Sequence, residues 1–405
     1  MDFSENLTKW SFFPVVLLSF LYPVNMYMLS LAIPLFFYRE GVSTEFIGLL
    51  SAATTFTYTI SPILLNKLSE KLPRKKSLII ALFGTLLAQI IFYFTLDPIP
   101  FLISRFSEGF IMGLYWTNLQ SSISDNILHN HKKLTAMFNI SWNLGVIVGF
   151  WLGAILTYTY KGLTQIFMIA PIIIFITLLI AVFSFQEPKK ISIDTLNKIS
   201  LDQNNVEELQ KNNYKLKEQE IKRIQFPKIY PVLLIIIFSL SRATINFIFP
   251  IKSDVLGFET YTIYIAISFL ALAQSITMLL ASIVSTKILK SFPLIMSTLL
   301  ALLVWLLGIN DNYYIFIILF LILGSCTGII YGVTLRLILI LNMKNQTSIY
   351  SGILESFIGV SFLIAPISSG FLANIDLNLP FYILSFLLAG ITFTLLVIIY
   401  KKIQI

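Results

Sequence analysis

The sequence predicts an all-α membrane protein in which twelve transmembrane helices form two pseudo-symmetric six-helix bundles. Three observations predict this fold class. Of the 405 residues, 57% are hydrophobic and only 12% are charged, about half the charged fraction of a soluble domain. Twelve apolar segments are each long enough to span a bilayer, which takes about 20 residues. A long polar stretch separates the sixth segment from the seventh, and the segments on either side of it resemble each other.

Turn signals divide the apolar segments, for example at Asp97-Pro98 and Asp311-Asn312. The predicted spans are 11–37, 44–66, 77–95, 98–122, 135–159, 162–184, 230–251, 258–284, 291–310, 313–338, 347–373 and 379–400. The first is too long for the apolar part of a signal peptide, so we expect it to remain as a membrane helix.

The predicted domains are an N-terminal six-helix bundle, 1–185, a cytoplasmic linker, 186–229, and a C-terminal six-helix bundle, 230–405. The linker is rich in Lys, Glu, Asn and Gln and has no apolar run of span length. Its composition is typical of a solvated connection, although residues 206–224 could form a charged surface helix.

The distribution of basic residues predicts the orientation of the chain. Outside the linker, fourteen lysines and arginines fall on the side of the two termini, and only Arg39, Lys161 and Lys252 fall on the other. Because cytoplasmic loops are enriched in Lys and Arg, we expect both termini to be cytoplasmic in a multi-pass protein of the cell (plasma) membrane.

The two halves of the chain contain an internal repeat. Residues 14–34 and 231–250 share the order proline, apolar run, polar centre, proline. GFIMGLYW at 109–116 in span four likewise matches GIIYGVTL at 328–335 in span ten. Parallel six-span repeats are a known plan of secondary transporters, in which the substrate site lies between the repeats near the midplane.

The loop between spans two and three reads NKLSEKLPRKK, residues 66–76. It resembles the G-x-L-x-D-R-x-G-R-R/K loop of the major facilitator superfamily, and the resemblance extends over essentially the whole chain. Leu68, Arg74 and Lys75 match the pattern, Glu70 and Lys71 keep the charges of the residues they replace, and Asn66 and Pro73 stand in place of the two glycines.

The resemblance implies a cytoplasmic gating loop made of Glu70, Lys71, Arg74, Lys75 and Asp125. Glu70 would face the start of span eleven near Thr347, and Arg74 would pair with Asp125 at the end of span four. The alternative is that the basic residues only anchor the loop on the inner side of the membrane.

Three further spans resemble patterns of the same superfamily and of its drug–proton antiporter branch. RFSEGFIMG, 105–113, follows R-x-x-Q-G-x-x-x-G with Glu108 in place of glutamine. GVIVGFWLGA, 145–154, is similar to the antiporter pattern, although Phe150 replaces its proline and Ala154 its last glycine. In span one, Asn25 stands where the antiporter pattern has aspartate, so one coupling acid expected from the family is missing.

Four ionisable residues lie well inside the spans: Arg105, Glu108, Arg242 and Glu355. Each costs roughly 2.5–3.5 kcal/mol at the bilayer centre on insertion scales. We therefore expect all four to face the protein interior and to find partners there.

Arg105 and Glu108 are three residues apart on one helix, so their side chains can touch. The pair is either a neutralising structural contact or part of a proton pathway. A buried carboxyl group can take up and release a proton as its surroundings change, and we take Glu108, Glu355 and Arg105 as the proton-coupling candidates.

Arg242 has no acid within its own span. From the inner side it lies about 18 Å along span seven, and Glu355 lies about 12 Å along span eleven. Arg242 therefore either pairs with Glu355 or presents its charge to an anionic group of a substrate. The second alternative makes Arg242 a substrate-cavity candidate, together with Asn25, Tyr58, Trp116, Asn139, Trp142 and Asn143.

The sequence favours a secondary active transporter that moves a small organic solute, with anionic solutes among the options, by alternating access with proton coupling. We expect a monomer whose partners are the substrate, the lipid bilayer and protons, without nucleic acid, metal or cofactor, and without enzymatic activity. Symport and antiport both remain open. The alternatives are an uncoupled facilitator of the same fold, or a polytopic membrane enzyme or sensor without transport.

Overall fold

The computed structural model describes residues 12–124, 131–187, 226–283, 289, 291–345 and 349–402. The described chain forms twelve α-helices in the predicted order. They are α1 Phe13–Arg39, α2 Thr44–Lys71, α3 Arg74–Tyr93, α4 Pro98–Ser124, α5 His131–Tyr160, α6 Thr164–Phe183, α7 Ile229–Val255, α8 Thr260–Ile283, α9 Phe292–Ile309, α10 Tyr313–Asn345, α11 Ile349–Ile375 and α12 Leu379–Lys402.

Each predicted span contains one helix, and most helix ends lie within a few residues of the predicted bounds. The largest difference is at α10, which continues to Asn345 instead of ending at residue 338. Within the described residues, ten helices are long and apolar enough to cross a membrane by composition alone; α2 and α4 are not among them. These two helices have 28 and 27 residues and contribute polar side chains to the interior.

The two halves of the chain pack by the same scheme. In the first half α1 packs on α5 and α6, α2 packs on α4, and α3 packs on α4 and α6. The corresponding helices of the second half repeat these contacts, with α7 on α11 and α12, α8 on α10, and α9 on α10 and α12. The repeat seen in the sequence therefore has a counterpart in the packing. Most of the predicted linker lies outside the described residues, and the predicted domain limits stay a prediction.

The halves meet through three helix pairs that respect the same symmetry: α2 with α11, α5 with α8, and α1 with α7. Glycines bring α2 and α11 close together. A Cβ added to Gly370 would lie 2.5 Å from the Thr44 carbonyl oxygen, and the Thr44 hydroxyl donates to the Gly370 carbonyl at 2.8 Å. Small residues are what allow helix backbones to approach this closely within a membrane.

We call the side on which α1 ends the outer side, following the predicted orientation. On this side Arg39 forms a salt bridge with Asp254, and the Asn374 amide donates to the Glu45 carboxylate. Deeper in the protein, the Tyr264 hydroxyl donates to the Met28 carbonyl at 2.7 Å. Each of these contacts joins one half to the other, so the interface is closed on the outer side.

Candidate functional site

A cavity of about 160 Å³ lies between the two halves. Four helices of the first half, α1 to α4, and two of the second, α7 and α11, contribute to its wall. The apolar part of the wall includes Tyr22, Met26, Met112, Phe247 and Phe362, and the polar part includes Asn25, Thr54, Gln89, Arg105, Glu108 and Asn246. A mostly apolar cavity with a few convergent polar groups is the usual form of a small-molecule site.

The ion pair expected on α4 is present in the cavity wall. Arg105 Nη1 lies 2.5 Å from Glu108 Oε2, and Nη1 also reaches the Tyr93 hydroxyl at 3.4 Å. Glu108 is only 4% exposed. The two formal charges cancel, which is the condition under which an ion pair can remain in a low-dielectric interior.

A chain of amide hydrogen bonds determines which atoms Asn25 and Gln89 present to the cavity. Asn25 Nδ2 donates to the Ala170 carbonyl at 2.7 Å, and Gln89 Nε2 donates to Asn25 Oδ1 at 3.1 Å. The Ala170 carbonyl can only accept, so the Asn25 NH₂ group must point toward it. The Asn25 oxygen then points toward Gln89 and accepts from its amide nitrogen. The Gln89 oxygen is therefore left as an acceptor at the cavity.

Arg242 is buried at 4% exposure, one residue from the wall residue Ala243. Its side chain is not part of the wall, and the Tyr27 hydroxyl lies within electrostatic range of the guanidinium. Arg242 Nη1 has no hydrogen-bond partner within the described chain. No salt bridge joins Arg242 to Glu355 in the described residues, so the first alternative considered for Arg242 does not apply to this conformation.

Glu355 occupies a separate position on the inner side of the cavity. It is exposed, yet it lies within electrostatic range of Tyr58 on α2 and Tyr331 on α10. These tyrosines belong to different halves, so Glu355 faces the space between the halves. Tyr331 also stacks on Phe238, one turn before Arg242 on α7, with 4.5 Å between ring centroids.

The other cavity candidates lie at several places. Of these, only Asn25 is in the cavity wall. Trp116 packs edge-on against Tyr22, and Trp142 packs edge-on against Tyr27, so each indole supports a tyrosine of the wall. Asn143 Nδ2 donates to the backbone oxygen of Asn139, and Ser275 of α8 donates to Asn143 Oδ1 at 3.0 Å. Asn143 thus bridges the halves.

The gating loop proposed from the family pattern is described only in part. Arg74 Nη1 donates to Asn118 Oδ1 at 3.1 Å. The Glu187 carboxylate accepts from the backbone N–H groups of Arg74 and Lys75 at 2.6 and 2.9 Å, which caps the start of α3. Lys71 is exposed. The Glu70 side chain, Asp125 and Thr347 lie outside the described residues, so the two predicted latch contacts stay predictions.

Gln89, Thr54 and Asn246 also form the polar wall, although no sequence pattern singled them out. A lone glutamine in the apolar run 77–93 is the one signal that could have identified Gln89, since an unpaired amide is costly in a membrane. For metal binding, nowhere in the described part of the chain do three His, Cys, Asp or Glu side chains form a group suited to holding an ion.

Comparison with known proteins identifies relatives of this architecture. The family model described as Major Facilitator Superfamily matches residues 15–226 and 231–403. The crystal structure of nucleoside transporter NupG is similar with a TM-score of 0.73 and 13% identity, covering 96% of this chain and 99% of that one. The structure of a point mutant of NupG gives a TM-score of 0.70 at 13% identity, with coverage of 96% and 98%. No curated protein sequence matches the chain. At this identity the similarity to NupG concerns the fold.

Proposed function

Because the chain belongs to the major facilitator superfamily and is a multi-pass secondary transporter, we propose that it moves a small organic solute across the cell membrane by alternating access and couples this movement to protons. The observation that carries the proposal is the cavity between the halves, with a buried Arg105–Glu108 ion pair in its wall. A transporter needs a site that both halves enclose, and a coupled one needs a group there that can change its charge.

Glu108 is the coupling residue that we propose. Its Oε2 holds Arg105, whereas its Oε1 has no hydrogen-bond partner in the described chain. Protonation of Glu108 would weaken its hold on Arg105 and free the guanidinium for another partner. A proton and a solute could then alternate at one ion pair, which is the exchange that coupling requires.

Glu355 is the second candidate for the same role. Glu355 lies within electrostatic range of Tyr58 in the first half and Tyr331 in the second, which supports a role for its carboxylate on the inner side of the cavity. It could receive or release the proton on the side that is open to the cytoplasm. The two candidates therefore have different proposed roles. Glu108 acts where the solute binds, and Glu355 acts on the path between the cytoplasm and that site.

The contacts between the halves on the outer side support alternating access, since they must break before the cavity can open to the outer side. The salt bridge Arg39–Asp254 joins α1 to α7, and the Thr44–Gly370 hydrogen bond joins α2 to α11. Rigid-body rocking of one half against the other would release them together. With both termini in the cytoplasm, as proposed from the charge bias, this closed side is the extracellular one.

Flux in proteoliposomes tests the proposal. Purified protein is reconstituted with an internal pH dye, and solutes are added outside under an imposed pH gradient. We expect a transported solute to change internal pH, and Glu108→Gln to abolish this change while solute counterflow persists. Glu259→Gln, in the exposed loop between α7 and α8, is the matched control.

The outcomes separate the alternatives. Counterflow that is insensitive to the pH gradient in the wild type would identify an uncoupled facilitator. If Glu355→Gln loses proton movement and Glu108→Gln does not, the coupling role belongs to Glu355. Nucleosides enter the solute panel because the similar structures are of a nucleoside transporter.

A further inference from the structure

The cavity concentrates polar atoms that have no hydrogen-bond partner. Ten buried side-chain atoms lack a partner in the described chain. Half of them belong to residues of the cavity wall: Thr54 Oγ1, Gln89 Oε1, Arg105 Nε, Glu108 Oε1 and Asn246 Oδ1. Buried polar atoms are nearly always paired in native proteins, so these five atoms are available to a molecule bound in the cavity.

Three of these five atoms are acceptors by chemistry. Gln89 Oε1 must be an acceptor because the Ala170–Asn25–Gln89 chain determines which way each of its amides points. Glu108 Oε1 is a carboxylate oxygen, and Asn246 Oδ1 is an amide oxygen on α7. Gln89 and Glu108 come from one half and Asn246 from the other, so a molecule that donates to both groups would connect the halves.

The charges of the wall exclude a strong preference for ions. Arg105 and Glu108 lie within 2.5 Å of each other and cancel. Arg242 stands behind the wall, with its neighbours Ala243 and Asn246 at the surface of the cavity. An anion would meet the Glu108 carboxylate, and a cation would meet Arg105 in the wall, with Arg242 behind it. A neutral molecule meets neither penalty.

The dimensions limit the molecule further. The cavity of about 160 Å³ is close to the ~150 Å³ of an engineered protein cavity that holds one benzene molecule. It therefore has room for one ring with small substituents. Tyr22, Met112 and Phe247 provide apolar surface against which such a ring can pack.

We infer that the solute of this transporter is a neutral, single-ring molecule with at least two N–H or O–H donors, which bind Gln89 Oε1 and Asn246 Oδ1. This inference rests on the proposed function and specifies its substrate class. Bridging the two amides would make solute binding favour the arrangement of the halves in which Gln89 on α3 and Asn246 on α7 both line the cavity.

Binding and counterflow of matched solutes test the inference. The neutral donors are uracil and nicotinamide, and 1,3-dimethyluracil has the same ring without a donor. Benzoate, benzylammonium and proline represent anions, cations and zwitterions, and adenosine represents a larger solute. We expect uracil or nicotinamide to bind and to exchange, and dimethyluracil to bind at least about tenfold more weakly than uracil, as loss of satisfied hydrogen bonds requires.

Variants connect binding to the named atoms. Gln89→Leu and, separately, Asn246→Ala should each weaken binding of the neutral donor about tenfold. Gln274→Leu is the matched control, since Gln274 is a buried glutamine of the second half outside the cavity wall. If Gln89→Leu fails to fold, Asn246→Ala on a different helix still tests the inference.

Distinct results overturn the two proposals. If a charged solute, dimethyluracil or only adenosine is transported, the inferred substrate class is wrong and the transport function stands. If none of the neutral donors binds, the inference is likewise overturned. If no solute of any class exchanges across the membrane, although the protein is folded and correctly inserted, the proposed transport function fails.

Discussion

Arg39 at the end of α1 binds Asp254 near the end of α7, with Nε and Nη2 both donating to the same carboxylate oxygen, at 2.8 and 2.5 Å. Nη2 also donates to the Thr260 hydroxyl at 2.9 Å. The arginine belongs to the first half, and both partners belong to the second. This one side chain therefore connects the halves on the outer side.

Breaking this contact should shift the protein toward the conformation open on the outer side. Because Arg39 is 37% exposed, the salt bridge contributes at most about 1 kcal/mol, which corresponds to a shift of about fivefold in the ratio of conformations. We expect Arg39→Glu to lengthen the distance between spin labels at positions 40 and 259, measured by pulsed electron resonance with Cys326 replaced by serine.

The charge swap Arg39→Glu with Asp254→Arg serves as the control. It should return the label distances toward those of the wild type, because the attraction is re-formed with its direction reversed. Distances that are the same in all three proteins would show that the salt bridge does not influence the equilibrium.

Arg105 and Glu108 should stabilise the protein more when both are present than either residue does without its partner. Arg105→Gln leaves a carboxylate buried without its cation, and such uncompensated burial costs roughly 3–5 kcal/mol. We expect a clear loss of thermal stability in detergent for Arg105→Gln and a smaller loss for Glu108→Gln. The double variant should be more stable than Arg105→Gln alone. Additive losses in this double-mutant cycle would contradict direct coupling of the two side chains.

Much of the fold could be predicted from the sequence because the bilayer imposes one length on every span. Apolar segments and turn signals together placed all twelve helices, but the predicted span 313–338 is shorter than α10, which continues to Asn345. The apolar run itself continues past residue 338 to Leu341, and Leu337, Ile338, Ile340 and Leu341 are buried. The predicted span therefore ended too early at this point.

The site was less predictable because depth along a helix does not determine the face on which a side chain lies. The predicted depths placed Arg242 and Glu355 within about 6 Å along the membrane normal, yet no salt bridge joins them in the described chain. Arg242 lies within electrostatic range of Tyr27, and Glu355 within range of Tyr58 and Tyr331. Arg105 and Glu108 were predictable because their contact is local. Gln89 depends on Asn25, 64 residues away, and no local pattern records such a pair.

The close approach of α2 and α11 predicts a steric effect on gating. A Cβ at Gly370 would come within 2.5 Å of the Thr44 carbonyl oxygen, so Gly370→Ala must push the helices apart. We expect this variant to lower thermal stability and to increase labelling of a single cysteine introduced on the outer side at position 40, with Cys326 replaced by serine. Gly390→Ala in α12 is the control, because nothing lies within 4 Å of its added Cβ, and alanine stabilises a helix interior by up to about 1 kcal/mol. Equal stability of the two variants would argue against a tight contact.

Arg242 and Lys252 are two buried cations on the same helix, and removing their charges should have different effects on the thermal stability of the protein. Lys252 Nζ donates to the Leu307 and Gly308 carbonyls at 3.0 and 2.7 Å and lies 3.6 Å from Asp311. Lys252→Met should therefore destabilise the protein by about 1–3 kcal/mol through loss of these bonds.

Arg242→Met should instead leave thermal stability unchanged or raised, since Arg242 forms no salt bridge within the described chain and a buried cation without an acid is costly. We expect transport to fall to background in the same variant, because Arg242 stands behind the part of the wall that Ala243 and Asn246 form. Arg242→Ala, which removes more of the side chain, should also abolish transport while folded protein remains in the membrane. Flux and thermal unfolding measured on the same preparations decide the matter: wild-type flux without the guanidinium would mean that Arg242 has no part in transport, and a loss of stability as large as that of Lys252→Met would mean that its role is structural.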